Sequence, residues 1–148
     1  MSMTRRLRRT NATCGFVCFR VAVGMSLKID PPQAITNLLA AESVDIRGAL
    51  ICTNTDIDAL GTYKPQWLIV TGDGLWVVSE GPEPSVQLRI SFKDVTEFRC
   101  QGTIGSGLLQ ARMDGVFIDV LRYSNRFGDR FNKVARKLDR HLKGEPIV

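Results

Sequence analysis

The stretch Trp67–Val78, WLIVTGDGLWVV, constrains this chain more than any other. Two apolar runs, each with a tryptophan, flank Gly72-Asp73-Gly74. Asp-Gly is a favoured pair for the two-residue turns whose twist matches that of antiparallel strands. A turn at Asp73-Gly74 sets Thr71 opposite Trp76, Val70 opposite Val77 and Ile69 opposite Val78. Side chains alternate along a strand, so Trp67, Ile69, Trp76 and Val78 share one face. Leu68, Val70, Leu75 and Val77 share the other. A hairpin apolar on both sides belongs where something covers both of them. On this reading the glycines serve a positive φ in the turn, and no phosphate or metal cradle is needed.

The flanking segments keep the rhythm. In VDIRGALICT, Val44, Ile46 and Leu50 alternate, predicting a strand broken at Gly48. Residues 54–66, NTDIDALGTYKPQ, read as loop. After Gly81-Pro82-Glu83-Pro84, SVQLRI alternates through Val86, Leu88 and Ile90. VTEFRC sets Val95 and Glu97 against Thr96, Phe98 and Cys100. SGLLQARM then meets GVFIDVLRY across Asp114-Gly115, a second hairpin signal. Seven short strands on short connections predict an antiparallel, mainly β body.

Two helices bracket it. Asp30-Pro31-Pro32 opens the first, with Asp30 as N-cap and Ile35, Leu38 and Leu39 as its apolar stripe. In the second, Phe127, Phe131, Val134, Leu138 and Leu142 recur at helical spacing between an N-cap at Ser124 and a stop at Gly144 and Pro146. The class is α+β. Its expected divisions are a leader at 1–24, a short helix within 25–43, the β body with its closing helix at 44–144, and a tail at 145–148.

The net charge of +5 is unevenly distributed. Arg5, Arg6, Arg8, Arg9 and Arg20 give the leader +5, and residues 124–143 hold seven basic and two acidic side chains for another +5. The remainder is −5, so a mildly acidic body carries a basic leader and one basic helix. Such a chain lacks the uniformly basic body of a nucleic-acid-binding domain. The arginine cluster and the apolar stretch after it loosely fit a secretory leader cleaved before Met25. Arg20 interrupts that apolar run, so a start at Met25, preceded by a mis-called extension or a disordered tail, is the better reading. No apolar run is long enough for a membrane-spanning helix. Cys14, Cys18, Cys52 and Cys100 make neither a disulfide framework nor, with His141 as the single histidine, a zinc set.

Near-miss motifs are set aside on their chemistry. GTIGSGLL has the glycine spacing of a nucleotide loop, but Leu108-Leu109 stand where Lys and Ser/Thr must grip phosphate and magnesium. Its Gly102–Gly105 portion imitates the GXXG clamp of RNA-binding KH domains, which needs helices where strands are expected here. Asn54, Asp56 and Asp58 open like a calcium loop, yet Ala59 and Pro65 replace the turn glycine and the closing glutamate. No nucleophile–base set is legible, so no catalytic residue, cofactor or metal is expected.

Seven antiparallel strands followed by one amphipathic helix resemble the pleckstrin-homology-like (PH-like) fold. There, two bent sheets form a partly open barrel and the last helix plugs one end. WLIVTGDGLWVV is similar to the second and third strands of bacterial PH-like domains. ISFKDVTEFRCQG resembles a later strand, and DVLRYSNRFGDRFNKVARKL the passage into the helix. The likeness runs from about Val44 to Lys143. In that group such a domain can precede the membrane and nucleotide-binding segments of an ABC exporter. The resemblance therefore implies a cytoplasmic protein, peripheral to the inner face of a membrane and working beside transporter segments. Two features depart from the group. Gly74 stands where many relatives have a basic residue, and the loop after the first strand carries Asp56 and Asp58 against Lys64 alone. Specific phosphoinositide binding is accordingly not expected.

Arg126, Arg130, Lys133, Arg136, Lys137 and Arg140 lie opposite the apolar stripe of the last helix and form the candidate interaction face. The leading expectation is a non-catalytic interaction module meeting a protein partner or an anionic membrane. One alternative is a barrel that takes a small ligand or lipid at its open end. Another is weak nucleic-acid binding through the same helix, although exposed aromatics between its basic residues are missing.

Overall fold

The computed structural model describes residues 27–147. The leader, the start at Met25 and the Cys14/Cys18 pair lie outside them. The described chain runs α1 (Gln33–Ala41), β1 (Ile51–Ile57), β2 (Tyr63–Val70), β3 (Gly74–Ser79), β4 (Ser85–Ser91), β5 (Glu97–Thr103), β6 (Ser106–Met113), β7 (Val116–Ser124) and α2 (Gly128–Leu142). The strands make two antiparallel sheets, ordered β1-β2-β3-β4 and β5-β6-β7, without backbone pairing between them. The expected α+β class, seven antiparallel strands and two flanking helices are present, and no closed barrel forms.

The opening hairpin keeps its expected faces but not its expected turn. Val70 pairs with Leu75, Ile69 with Trp76 and Trp67 with Val78, so the turn is centred on Gly72-Asp73. Moving the turn by one residue slides the register by two and leaves every side chain on its face. Neither Gly72 nor Gly74 has a positive φ. Gly74 is required for close approach instead. It pairs with Ser91, and a Cβ there would run into the carbonyl oxygen of Ile90. The Asp114-Gly115 turn, in contrast, forms as expected. Both residues adopt positive φ (53° and 79°), and Met113 pairs with Val116.

Both faces of the hairpin are covered. Leu68, Val70, Leu75 and Val77 pack with Phe98, Leu109, Leu121, Phe131, Val134 and Leu138 in the core between the sheets and α2. Trp67, Ile69, Trp76 and Val78 pack under Ile35 and Leu39 of α1. The glutamate after β3 satisfies the buried indole, Trp67 Nε1 donating to Glu80 Oε1 at 2.7 Å.

Several boundaries differ from expectation. Val44 to Leu50 is not strand: Asp45 Oδ1 accepts from the Arg47 amide and holds Ile46–Gly48 in a 3₁₀ turn. The strand runs instead from Ile51 to Ile57, taking in residues expected to be loop. Pro32, not Asp30, stands at the N-cap of α1, its carbonyl accepting from the Ile35 and Thr36 amides. Val95 precedes β5 and is buried along with Phe98 rather than on an opposite face, because a 3₁₀ turn at Phe92–Asp94 redirects the chain. In β4 a bulge at Gln87 separates the Val77–Leu88 and Val78–Val86 pairs, and Ile90 alone of the alternating residues is fully buried.

Candidate interaction surface

The residues that place α2 come from both sheets. Phe131, at 0% exposure, stacks on Tyr123 of β7 with ring centroids 4.8 Å apart. The Phe98 amide of β5 donates to Asp139 Oδ1 at 3.2 Å, and the Cys100 thiol donates to the Phe131 carbonyl at 3.2 Å. At the far end His141 Nε2 lies 3.1 Å from the Gly72 carbonyl oxygen, with its ring edge-on to Phe92. Ser124 does not cap the helix. Its hydroxyl donates to Asp56 Oδ2 at 2.7 Å, and a 3₁₀ turn at Asn125–Phe127 precedes α2. That bond, with Thr55 Oγ1 donating to the Arg122 carbonyl at 3.1 Å, joins β1 to β7 through side chains.

The six basic residues of the candidate face fall into different settings. Arg126, Arg136 and Arg140 are exposed, while Lys133 and Lys137 are half-buried along the helix flank. Arg130 is half-buried and turned towards the strands: Nη1 donates to the carbonyl and to the side-chain oxygen of Asn54 in β1, and Nε is buried without a partner. Burial, and then the neighbouring Arg126 charge, lower its pKa from the ordinary guanidinium range. The Arg126 and Arg130 guanidinium carbons lie 5.0 and 4.5 Å from the Phe127 ring centroid. Phe127 is thereby shielded from solvent at the helix start.

The carboxylates near this end serve the fold. Asp56 holds Ser124. Asp58 accepts from the Leu60 and Thr62 amides and from the Thr62 hydroxyl. That hydroxyl is the main reason its pKa lies below the usual carboxylate range. The residues of the calcium-like spacing are thus engaged by protein donors, and no group of three or more His, Cys, Asp or Glu among the described residues is placed to hold a metal. GTIGSGLL forms a tight hairpin: Gly102 pairs with Gly107 and Thr103 with Ser106 across Ile104-Gly105. No helix follows to receive a phosphate. Cys52 is buried under α1.

Two features left little or no mark in the sequence. One is the Asn54–Arg130 contact, for which nothing local is a signal. The other is a cavity of about 300 Å³ between the sheets, where Gln66 of β2 and Ser79 of β3 face Val120 and Leu121 of β7. Gln66 and Ser79 are polar residues next to long apolar runs, which is the only trace it leaves in the sequence. No family model matches this chain, and no curated protein matches it.

Proposed function

We propose that this chain is a non-catalytic PH-like interaction module that meets an anionic surface through the exposed basic side of α2. The observation that carries the proposal is how the helix is seated. Phe131, Val134, Ala135 and Leu138 are buried, so α2 has no apolar stripe left to insert into a bilayer or a partner groove. What it offers outward is charge, chiefly Arg126, Arg136 and Arg140. Contact of this kind is electrostatic and peripheral. Each basic side chain near anionic lipid contributes about 1 kcal/mol.

An anionic membrane face is the surface we favour. The likeness to domains that accompany exporter membrane segments supports it, as does the mixture of charges elsewhere on the described body. No described helix is long and apolar enough to cross a membrane. The test is co-sedimentation of the full chain with vesicles of equal phosphatidylglycerol and phosphatidylcholine. Binding is expected at low salt and lost at high salt, because added ions screen exposed charge. Equal recovery on vesicles of phosphatidylcholine alone would refute an electrostatic contact.

A further inference from the structure

The cavity between the sheets has the features of a ligand site, on grounds independent of the basic helix. Gln66 is only 7% exposed, and its backbone is held in the sheet between Thr55 and Ser79. Its carboxamide makes no hydrogen bond to any described residue, although it lines the cavity. No side-chain atom of Gln66 is both buried and unpartnered, so the donor and the acceptor of its carboxamide remain accessible and are available to a molecule in the cleft.

The surrounding polar groups are engaged elsewhere. Arg122 donates to the Ala59 carbonyl and to Ser106 Oγ. Asp58 is held by its own loop, and Asp119 accepts from Gln110 at 2.8 Å. Gln87 donates to Ser85 at 2.7 Å. Lys64 stands at the exposed rim. The apolar part of the lining includes Val77, Leu88 and Leu121. A volume of about 300 Å³ is at the lower end of the range of ligand clefts.

We infer that this cavity binds a small uncharged molecule with a carboxamide-like donor–acceptor pair at one end and a short apolar chain at the other. The head pairs with the Gln66 carboxamide by two opposed hydrogen bonds, and the chain lies on Leu88 and Leu121. A carboxylate head is the poorer match, because it offers no donor to the Gln66 oxygen.

The test is titration of the isotope-labelled full chain with hexanamide, and separately with hexanoate, followed by NMR. Hexanamide should shift the Gln66 side-chain amide signals saturably and give Overhauser contacts to the Leu88 or Leu121 methyls. Hexanoate should bind more weakly. Gln66→Leu, close in volume, should weaken hexanamide binding by roughly fivefold or more. The proposal is overturned if wild type shows no saturable shift or no methyl contact. It is equally overturned if hexanoate binds as tightly, or if a folded Gln66→Leu protein binds hexanamide unchanged.

Discussion

Arg130 and Asn54 lie 76 residues apart and are joined by Arg130 Nη1, which donates at 3.0 Å to the Asn54 carbonyl and at 3.1 Å to its side-chain oxygen. The contact fastens the first turn of α2 to the outer strand of the first sheet. It helps to cover a strand edge that would otherwise be open to pairing with another chain. Further along that edge the Cys52 amide and carbonyl bond to Leu27 and Ile29.

Arg130 therefore has a structural role that its exposed neighbours lack. Arg130→Ala should lower stability by about 1–3 kcal/mol, because it strands the Asn54 acceptors. Arg136→Ala, at an exposed site, should change it by less than about 0.5 kcal/mol. Urea denaturation of the two variants makes the comparison, and equal effects would contradict the assignment.

The two turn glycines should behave differently. Gly74→Ala pushes a methyl into the Ile90 carbonyl and should cost at least about 1–3 kcal/mol. At Gly72 an added Cβ meets nothing within 4 Å and φ is not positive, so Gly72→Ala should stay within about 0.5 kcal/mol. Thermal melts of both proteins check this.

The two helix phenylalanines should also separate. Phe131→Ala removes a fully buried ring stacked on Tyr123 and should cost about 3–5 kcal/mol. Phe127 is half-buried beneath two guanidinium groups, so its loss should cost visibly less by the same denaturation measurement.

Stability should fall in alkali. Burial, with the Asp30 carboxylate adding and Lys28 opposing, pushes the Cys52 thiol from an ordinary 9.0 up to about 11. The unfolded chain releases that proton from about pH 9 and the folded chain only near 11, so stability is complete below 9 and declines across that window. The loss from this group is roughly 2–3 kcal/mol. Cys100 and Tyr123, also shifted up by burial, add to the decline in any variant. Cys52→Ala should show a flatter fall between pH 9 and 11, measured as denaturation midpoints.

What was legible in the chain was set by local periodicity. The two faces of Trp67–Val78 could be read because a strand's period of two survives a register slide of two. The stripe from Phe131 to Leu138 was legible because a single helix carries it. What escaped depends on distant neighbours. The Ser124 hydroxyl is drawn to Asp56 and not to the helix amides. The first Asp-Gly pair does not make the turn because β4 crowds Gly74. Arg130 looks like any other basic helix residue until Asn54 is beside it, and the open carboxamide of Gln66 exists only once β7 is laid over β2.

The most direct measurement is vesicle co-sedimentation of a variant with Arg126, Arg136 and Arg140 all changed to Glu, beside the unaltered chain. The five leader arginines are common to both proteins, so the difference between them reports the helix alone. With melting temperature preserved, binding to phosphatidylglycerol-containing vesicles at low salt should weaken by about a hundredfold or more. A folded variant that sediments with those vesicles as well as wild type would show that α2 does not make the contact.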